Sequence, residues 1–310
     1  MNAAPDDAAA QRFQRDGVLT ALVAYVLWGV FPVYFKLVQA VPPTEVLVHR
    51  IVWAVPFGAL ILHFRKQWPE VRQAFASPAT LFWLALAALF ISANWFIYIW
   101  AVQQEEVLQA SLGYYINPLM YVIVGVLFLK ERLRRPQIIS VLLAAIGVSY
   151  LTIRGGQFPF VAVSLALLFT LYGVIRKQVA VGAMPGLFIE TLLLFPFAMA
   201  WLGWLMMTQQ AEFASGSVSI SLLLVLAGPL TVVPLLMFAV AARRLTLTVI
   251  GFMQFIAPTL QFIVGIFYGE VLTPAHLVCF GCIWAAVAIF SVDAFYQQKK
   301  RPPRIGSAGA

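Results

Sequence analysis

Long apolar runs alternate with short polar links along almost the whole chain. A helix needs about 20 mostly apolar residues to cross the hydrocarbon core of a membrane. Ten segments have approximately this length: 18–37, 44–63, 80–102, 107–129, 136–153, 158–176, 185–207, 218–242, 246–268 and 274–296. Because none shows the period-two alternation of a membrane β-strand, the pattern predicts an all-α polytopic membrane protein with ten transmembrane helices.

The apolar pattern occurs twice. Residues 94–125 contain two apolar runs joined by a short polar link, and residues 234–265 repeat that arrangement 140 positions later. Each half of the chain holds five predicted helices, and an odd number inverts the second half relative to the first. The pattern therefore predicts two inverted five-helix repeats, at 18–153 and 158–296, a design found in many secondary transporters.

Composition supports membrane insertion. The chain is 62% hydrophobic and only 10% charged, whereas soluble domains carry roughly 25% charged residues. The net charge of +8 lies mainly in the short links, so it does not indicate nucleic-acid binding. The expected surroundings are membrane lipids.

The distribution of Lys and Arg predicts the orientation. With a cytoplasmic N-terminus, the inner segments hold 17 of the 20 basic residues, namely Arg12, Arg15, Arg65, Lys66, Arg72, Lys130, Arg132, Arg134, Arg135, Arg176, Lys177, Arg243, Arg244, Lys299, Lys300, Arg301 and Arg304. This bias predicts that both termini are cytoplasmic. Residues 1–17 are predicted to be a disordered cytoplasmic tail, and residues 297–310 a basic cytoplasmic tail.

Polar side chains follow one face of the fourth and the ninth predicted helices. Tyr114, Asn117 and Tyr121 share a face of the fourth helix, and Gln254 and Gln261 take matching positions in the ninth. Polar stripes in transmembrane helices face protein or water rather than lipid. They predict a substrate cavity between the repeats; the alternative is hydrogen bonding between helices.

Four further residues are candidates for the same cavity. Asn94 and Tyr98 lie one turn apart in the third helix, and Trp28 lies well within the first. Tyr172 of the sixth helix loosely repeats the position of Trp28. The alternative for these aromatic side chains is ordinary packing or an interfacial belt.

Two mirrored prolines lie in the middle of the polar stripes. Pro118 and Pro258 each remove a backbone hydrogen bond and are expected to kink their helices. They are predicted to act as hinges for alternating access, or else as static kinks that shape the bundle.

Ionisable residues inside the apolar segments are few. Arg50 and Glu190 occupy mirrored positions 140 residues apart, and His49 is adjacent to Arg50. Such residues suggest ion coupling or substrate binding. The alternative is structural: Arg50 extends its charge outward to the membrane interface or pairs with Glu45, and Glu190 pairs with Arg176 or Lys177.

Motifs for catalysis or metal binding are lacking. Cys279 and Cys282 have the spacing of a redox motif, but without a second ligand pair they are expected to be packing residues. No nucleotide-binding loop, nucleophile motif or histidine cluster is present. The sequence therefore predicts a protein that is not an enzyme and that uses no cofactor and no metal.

Several stretches resemble the drug/metabolite transporter superfamily, EamA type, and more narrowly its RarD-type permeases. They are AYVLWGVFPVYFK (24–36), VHRIVWA (48–54), NWFIYIWAV (94–102), SLGYYINPL (111–119), YGVIRKQ (172–178) and GLFIETLLL (186–194). The resemblance implies an inner-membrane permease with a central cavity lined by helices 1, 3, 4, 6, 8 and 9. Gln103 replaces the asparagine expected after the third stretch, a change at the outer rim of the cavity.

We therefore predict a permease that moves a small amphipathic metabolite or drug by alternating access. Aromatic walls and uncharged polar groups favour a neutral or zwitterionic substrate, and proton coupling through Glu190 is one hypothesis. Both halves lie in one chain, so a monomer is sufficient. The alternatives are a lipid or lipid-precursor flippase and a membrane-embedded enzyme.

Overall fold

The computed structural model describes residues 5–129, 133–156, 158–214, 217–245 and 247–300. Within these residues the regular structure is helical, with no strand. The helices are α1 (Pro5–Gly29), α2 (Phe31–Leu37), α3 (Pro43–Phe64), α4 (Trp68–Phe75), α5 (Pro78–Gln103), α6 (Val107–Leu129), α7 (Arg135–Gly155), α8 (Phe160–Gln178), α9 (Ala183–Met207), α10 (Val218–Ala242), α11 (Leu247–Met253), α12 (Ile256–Phe267) and α13 (Pro274–Lys300).

Ten helical segments are long and apolar enough to cross a membrane, which confirms the predicted fold class. The first is formed by α1 with α2 and the ninth by α11 with α12. The short helix α4 was not predicted; it lies between the second and third spans.

The structure differs from the prediction near the N-terminus. Helix α1 begins at Pro5, so the described residues 5–17 are helical rather than disordered. This segment is rich in Ala, Gln and Arg, which are strong helix formers. Residues 1–4 and 301–310 of the predicted tails, with Lys130 and Arg132, lie outside the described residues.

The two mirrored prolines have different local effects. Helix α6 continues through Pro118 without interruption. Helix α11, in contrast, ends at Met253 and α12 starts at Ile256, just before Pro258. A proline cannot donate to the carbonyl four residues earlier and crowds it, and Gln254, where the helix breaks, lies four residues before Pro258. The role of either proline as a moving hinge stays a prediction.

A proline also interrupts the first span. Helix α1 ends at Gly29 because Pro32 leaves the Trp28 carbonyl without its intrahelical donor. The side-chain amide of Gln261 supplies a replacement, since Nε2 donates to the Trp28 carbonyl at 3.2 Å. Helix α12 of the ninth span therefore contacts the break in the first span.

Helix contacts follow the inverted repeat. Helices α3 and α9, α6 and α12, and α7 and α13 are equivalent partners that pack on each other across the pseudo-twofold axis. Other contacts occur in related pairs: α1 packs on α10 as α8 packs on α5, and α6 packs on α8 as α12 packs on α1. The centre of the molecule is thus an interface between the two halves.

Candidate functional site

A cavity of about 600 Å³ lies between the two halves. Its walls come from the spans expected from the family resemblance, with additional residues of α3 and α9. All nine residues predicted for a cavity line it: Trp28, Asn94, Tyr98, Tyr114, Asn117, Tyr121, Tyr172, Gln254 and Gln261. The structure thus brings them together, while their contact with a substrate stays a prediction.

The cavity extends toward one end of the bundle. We call this the basic end; its loops and helix ends carry Arg65, Lys66, Arg72, Arg176, Lys177, Arg243 and Arg244. The lining includes Arg176 and Val181 there. At the opposite end the lining stops several residues short of the loops, and the space is filled by buried residues such as Phe35, Val41 and Val102.

Carboxylates close that opposite end, which we call the acidic end after Glu105, Glu106, Glu212 and Glu270. Glu270 accepts hydrogen bonds from the backbone N–H groups of Val107 and Leu108, at 2.6 and 2.8 Å. It thereby caps helix α6 of the other half, where the helix dipole favours an anion. Partial burial raises the pKa of Glu270, and the two backbone donors oppose that shift.

A second carboxylate and an amide add to this closure. Glu45 accepts from the backbone N–H groups of Glu212 and Phe213, at 3.1 and 3.0 Å. Gln103, the departure from the family pattern, donates to the Val41 carbonyl at 3.1 Å and so satisfies the backbone just after α2. Glu45 therefore joins the two halves at the acidic end, and Gln103 joins two segments of the first half there.

The polar side chains of the cavity fall into two groups. Both side-chain polar atoms of Asn94 are hydrogen-bonded: Nδ2 donates to the Leu165 carbonyl at 3.0 Å, and Oδ1 accepts from the Tyr114 hydroxyl at 3.3 Å. Tyr98 Oη, Asn117 Oδ1 and Gln261 Oε1 are buried and have no partner among the described residues. Asn94 thus joins α5 to α6 and α8, and the other three remain available to a ligand.

Arg50 lies in the wall of this cavity. Its Nε donates to Thr231 Oγ1 at 2.8 Å, and its guanidinium stacks over the Trp95 ring at 4.1 Å from the centroid. Among the described residues no carboxylate lies within 4 Å of it. The predicted alternative of an Arg50–Glu45 ion pair is wrong, because Glu45 binds backbone N–H groups instead.

Glu190 has the ion-pair partner that the sequence suggested. Arg176 Nε lies 3.3 Å from Glu190 Oε1, and the Tyr172 hydroxyl donates to Glu190 Oε2 at 3.3 Å. Arg176 also donates to the carbonyls of Val181 and Gly182. Arg176 and Tyr172 line the cavity, whereas Glu190 lies behind them.

His49 lies apart from the cavity lining. Trp53 Nε1 donates to its Nδ1 at 3.1 Å, which makes Nδ1 the acceptor and leaves a proton on Nε2. Nε2 lies 3.8 Å from Glu45 Oε1. The ring is fully buried beside Phe213, so it lacks access to a ligand in the cavity.

Sequence reasoning missed two polar residues of the wall. Thr231 orients the Arg50 side chain. The sequence offered a signal for it, because Thr231 is a polar residue in an apolar run between Pro229 and Pro234. Arg176 was predicted to end the sixth helix and to be a possible partner of Glu190, but it was not predicted to line the cavity; α8 continues past it to Gln178. Thr231 also mirrors Ile91, another lining residue, at the repeat distance of 140.

The inverted repeat and the cavity between its halves define a multi-pass membrane protein of the transporter class. The EamA-like transporter family matches residues 15–153. A RarD protein of Salmonella typhimurium is 43% identical over 288 residues, covering 93% of this chain and 98% of the relative. An uncharacterized transporter of Pseudomonas aeruginosa is 44% identical, covering 93% and 97%. The chain belongs to the EamA-like transporter family, as a RarD-like permease of the drug/metabolite transporter superfamily.

A solved structure supports the fold alone. It superposes with a TM-score of 0.57 at 20% identity and covers 91% of this chain and 98% of its own. The family and the names of the relatives confirm a bacterial membrane transporter and point away from an enzyme.

Proposed function

We propose that the protein is an inner-membrane permease that moves a small amphipathic metabolite by alternating access. The observation that carries the proposal is a cavity between inverted repeats that reaches the basic end and is closed at the acidic end. If the basic loops face the cytoplasm, as their charge predicts, this is an inward-facing state with both termini inside. Each chain holds a whole cavity, so a monomer suffices.

The binding part of the proposal rests on three unpaired polar atoms. Tyr98 Oη, Asn117 Oδ1 and Gln261 Oε1 lie in an aromatic cavity of a size that suits a metabolite. Leaving buried polar groups without partners costs about 1–3 kcal/mol each. A ligand that satisfies them recovers part of that cost.

Removal of one unpaired hydroxyl separates binding from stability. We expect Tyr98→Phe to leave the melting temperature of the purified protein unchanged or slightly higher, because the hydroxyl has no partner to lose. Metabolites that raise the melting temperature of the parent protein should lose about 0.5–1.5 kcal/mol of binding free energy in this variant. Thermal scanning against a metabolite library, followed by counterflow of each hit in proteoliposomes, measures both effects.

Two controls define this experiment. Tyr150→Phe changes a tyrosine that is exposed and away from the cavity, so every ligand effect should persist. Asn117→Ala should weaken the same ligands as Tyr98→Phe. Hits that bind but show no counterflow would overturn the transport proposal. Hits that bind equally well to the parent protein and to both variants would show that Tyr98 and Asn117 are not part of the binding site.

Proton coupling is a separate part of the proposal. Glu190 is the buried carboxylate beside the cavity wall, and its partner Arg176 is itself a lining residue that a ligand can displace. We expect Glu190→Gln to abolish stimulation of flux by a pH gradient, while Glu212→Gln, in an exposed loop, retains it. Full gradient-driven flux in Glu190→Gln would remove Glu190 from coupling.

A further inference from the structure

We infer that Arg50 is an anion subsite that binds the carboxylate of a cargo with one negatively charged group. This inference rests on the proposed function, because it names the chemical class of the ligand in the same cavity. Arg50 is a buried cation without a counter-charge among the described residues. Arg50 is 6% exposed and has no carboxylate within 4 Å among the described residues. An uncompensated charge at this depth is costly, and such residues usually mark a substrate or ion pathway.

The surroundings of Arg50 hold the guanidinium in a fixed plane. Trp95 stacks at 4.1 Å, and the Phe31 and Phe35 rings lie at 5.6 and 5.9 Å from its Cζ. Thr231 occupies Nε and itself donates to the Ala227 carbonyl. The terminal nitrogens therefore keep four N–H donors with no acceptor among the described residues, on a side chain that lines the cavity.

This arrangement suits a carboxylate. The two terminal nitrogens of a guanidinium match the planar oxygens of a carboxylate in a bidentate pair. The Trp95 ring and the Thr231 hydrogen bond restrain the guanidinium, which reduces the entropy lost on binding. Tyr98 carries an unpaired hydroxyl one turn from Trp95, and its ring and Arg50 both contact Phe35.

The charge balance of the cavity limits the cargo to one negative charge. The other cation in the described lining, Arg176, is already paired with Glu190. Lys36 lies outside the lining and is 3.6 Å from Glu105. A phosphate dianion would bring two charges to one free cation. The buried acceptors Gln261 Oε1 and Asn117 Oδ1 favour a carboxylate that also carries a hydrogen-bond donor, such as a zwitterion.

Matched small probes test this inference on the purified full-length protein. The probes are 3-phenylpropionate, 3-phenylpropanamide, phenylalanine, phenylalaninamide and phenyl phosphate, each titrated while the melting temperature is recorded. We expect stabilisation by the two carboxylates and weaker or no stabilisation by the two amides and the phosphate. Arg50→Gln should weaken carboxylate binding about 10- to 100-fold. Arg50→Lys should retain the carboxylate preference at lower affinity, because lysine keeps the charge but lacks the two parallel N–H donors of the guanidinium.

Arg65→Gln is the control, since it removes an exposed cation at the basic end and should change nothing. The Arg50→Lys variant keeps the test decisive if Arg50→Gln does not fold. Equal stabilisation by amides, a carboxylate preference that survives in Arg50→Gln, stronger binding of phenyl phosphate, or no stabilisation by any probe would each overturn the inference. Binding of the amides alone would leave the transport proposal intact. Carboxylate binding without flux would overturn transport while retaining the subsite.

Discussion

Arg176→Met is expected to destabilise the protein by about 3–5 kcal/mol, the usual cost of leaving one member of a buried ion pair without its partner. Glu190 is 1% exposed and lies 3.3 Å from Arg176 Nε. The substitution also removes two hydrogen bonds to the carbonyls of Val181 and Gly182, each worth about 0.5–1.5 kcal/mol. Thermal or denaturant unfolding in detergent, followed by tryptophan fluorescence, measures the loss.

A second substitution separates the charge from the hydrogen bonds. The double variant Arg176→Met with Glu190→Gln removes both charges, so it should recover much of the stability lost by Arg176→Met alone. The double-mutant cycle then reports the coupling between the two side chains. Arg243→Met is the matched control, because Arg243 is exposed at the same end of the bundle. Equal losses for Arg243→Met and Arg176→Met would show that the pair contributes nothing.

Gly228→Ala is expected to destabilise the contact between α10 and α3 by about 1–3 kcal/mol, the range for overpacked sites. A Cβ added at Gly228 would lie 2.5 Å from the carbonyl carbon and the carbonyl oxygen of the Trp53 backbone. Because these are backbone atoms, a rotamer change cannot relieve the overlap and the two helices must separate. Thr231 is one turn from Gly228, so the separation should also stretch its 2.8 Å hydrogen bond to Arg50.

Other glycines supply the controls for this experiment. A Cβ at Gly203 or Gly281 meets nothing within 4 Å, so alanine there should be neutral or stabilising through its higher helix propensity. Unfolding curves compare the three variants, and binding of the probes for the Arg50 subsite reports the local effect. If Gly228→Ala unfolds like Gly203→Ala, the close approach of the two helices is not a constraint on stability.

The sequence predicted the architecture well because membranes impose strong local rules. A span must be apolar for about 20 residues, and an odd number of spans per half inverts the repeat. Both rules act on residues close in sequence. The break at Gln254 was less visible, since Pro258 and Pro118 look equivalent in the sequence but only the former interrupts its helix. Because the two prolines have the same local chemistry, the difference arises from their surroundings in the fold.

The sequence predicted which polar residues line the cavity, but not which of them are hydrogen-bonded to one another. Periodicity identified the faces that carry Tyr114, Asn117 and Gln261, and all three line the cavity. The sequence could not show that Asn94 donates a hydrogen bond to the Leu165 carbonyl, or that Arg50 donates to Thr231 instead of pairing with Glu45. These contacts join residues far apart in the sequence, so their geometry depends on how the two halves dock.

The mirrored pair of Arg50 and Glu190 has a consequence for assembly from separate halves. In a homodimer of a five-helix protein, symmetry would place the same residue at both positions, giving two arginines or two glutamates at the centre. A single polypeptide that contains both halves is free of that constraint. Here one position carries the stacked cation in the cavity wall and the other a carboxylate that neutralises Arg176. Duplication within one gene thus permits opposite charges on the two sides of a cavity whose backbone remains symmetric.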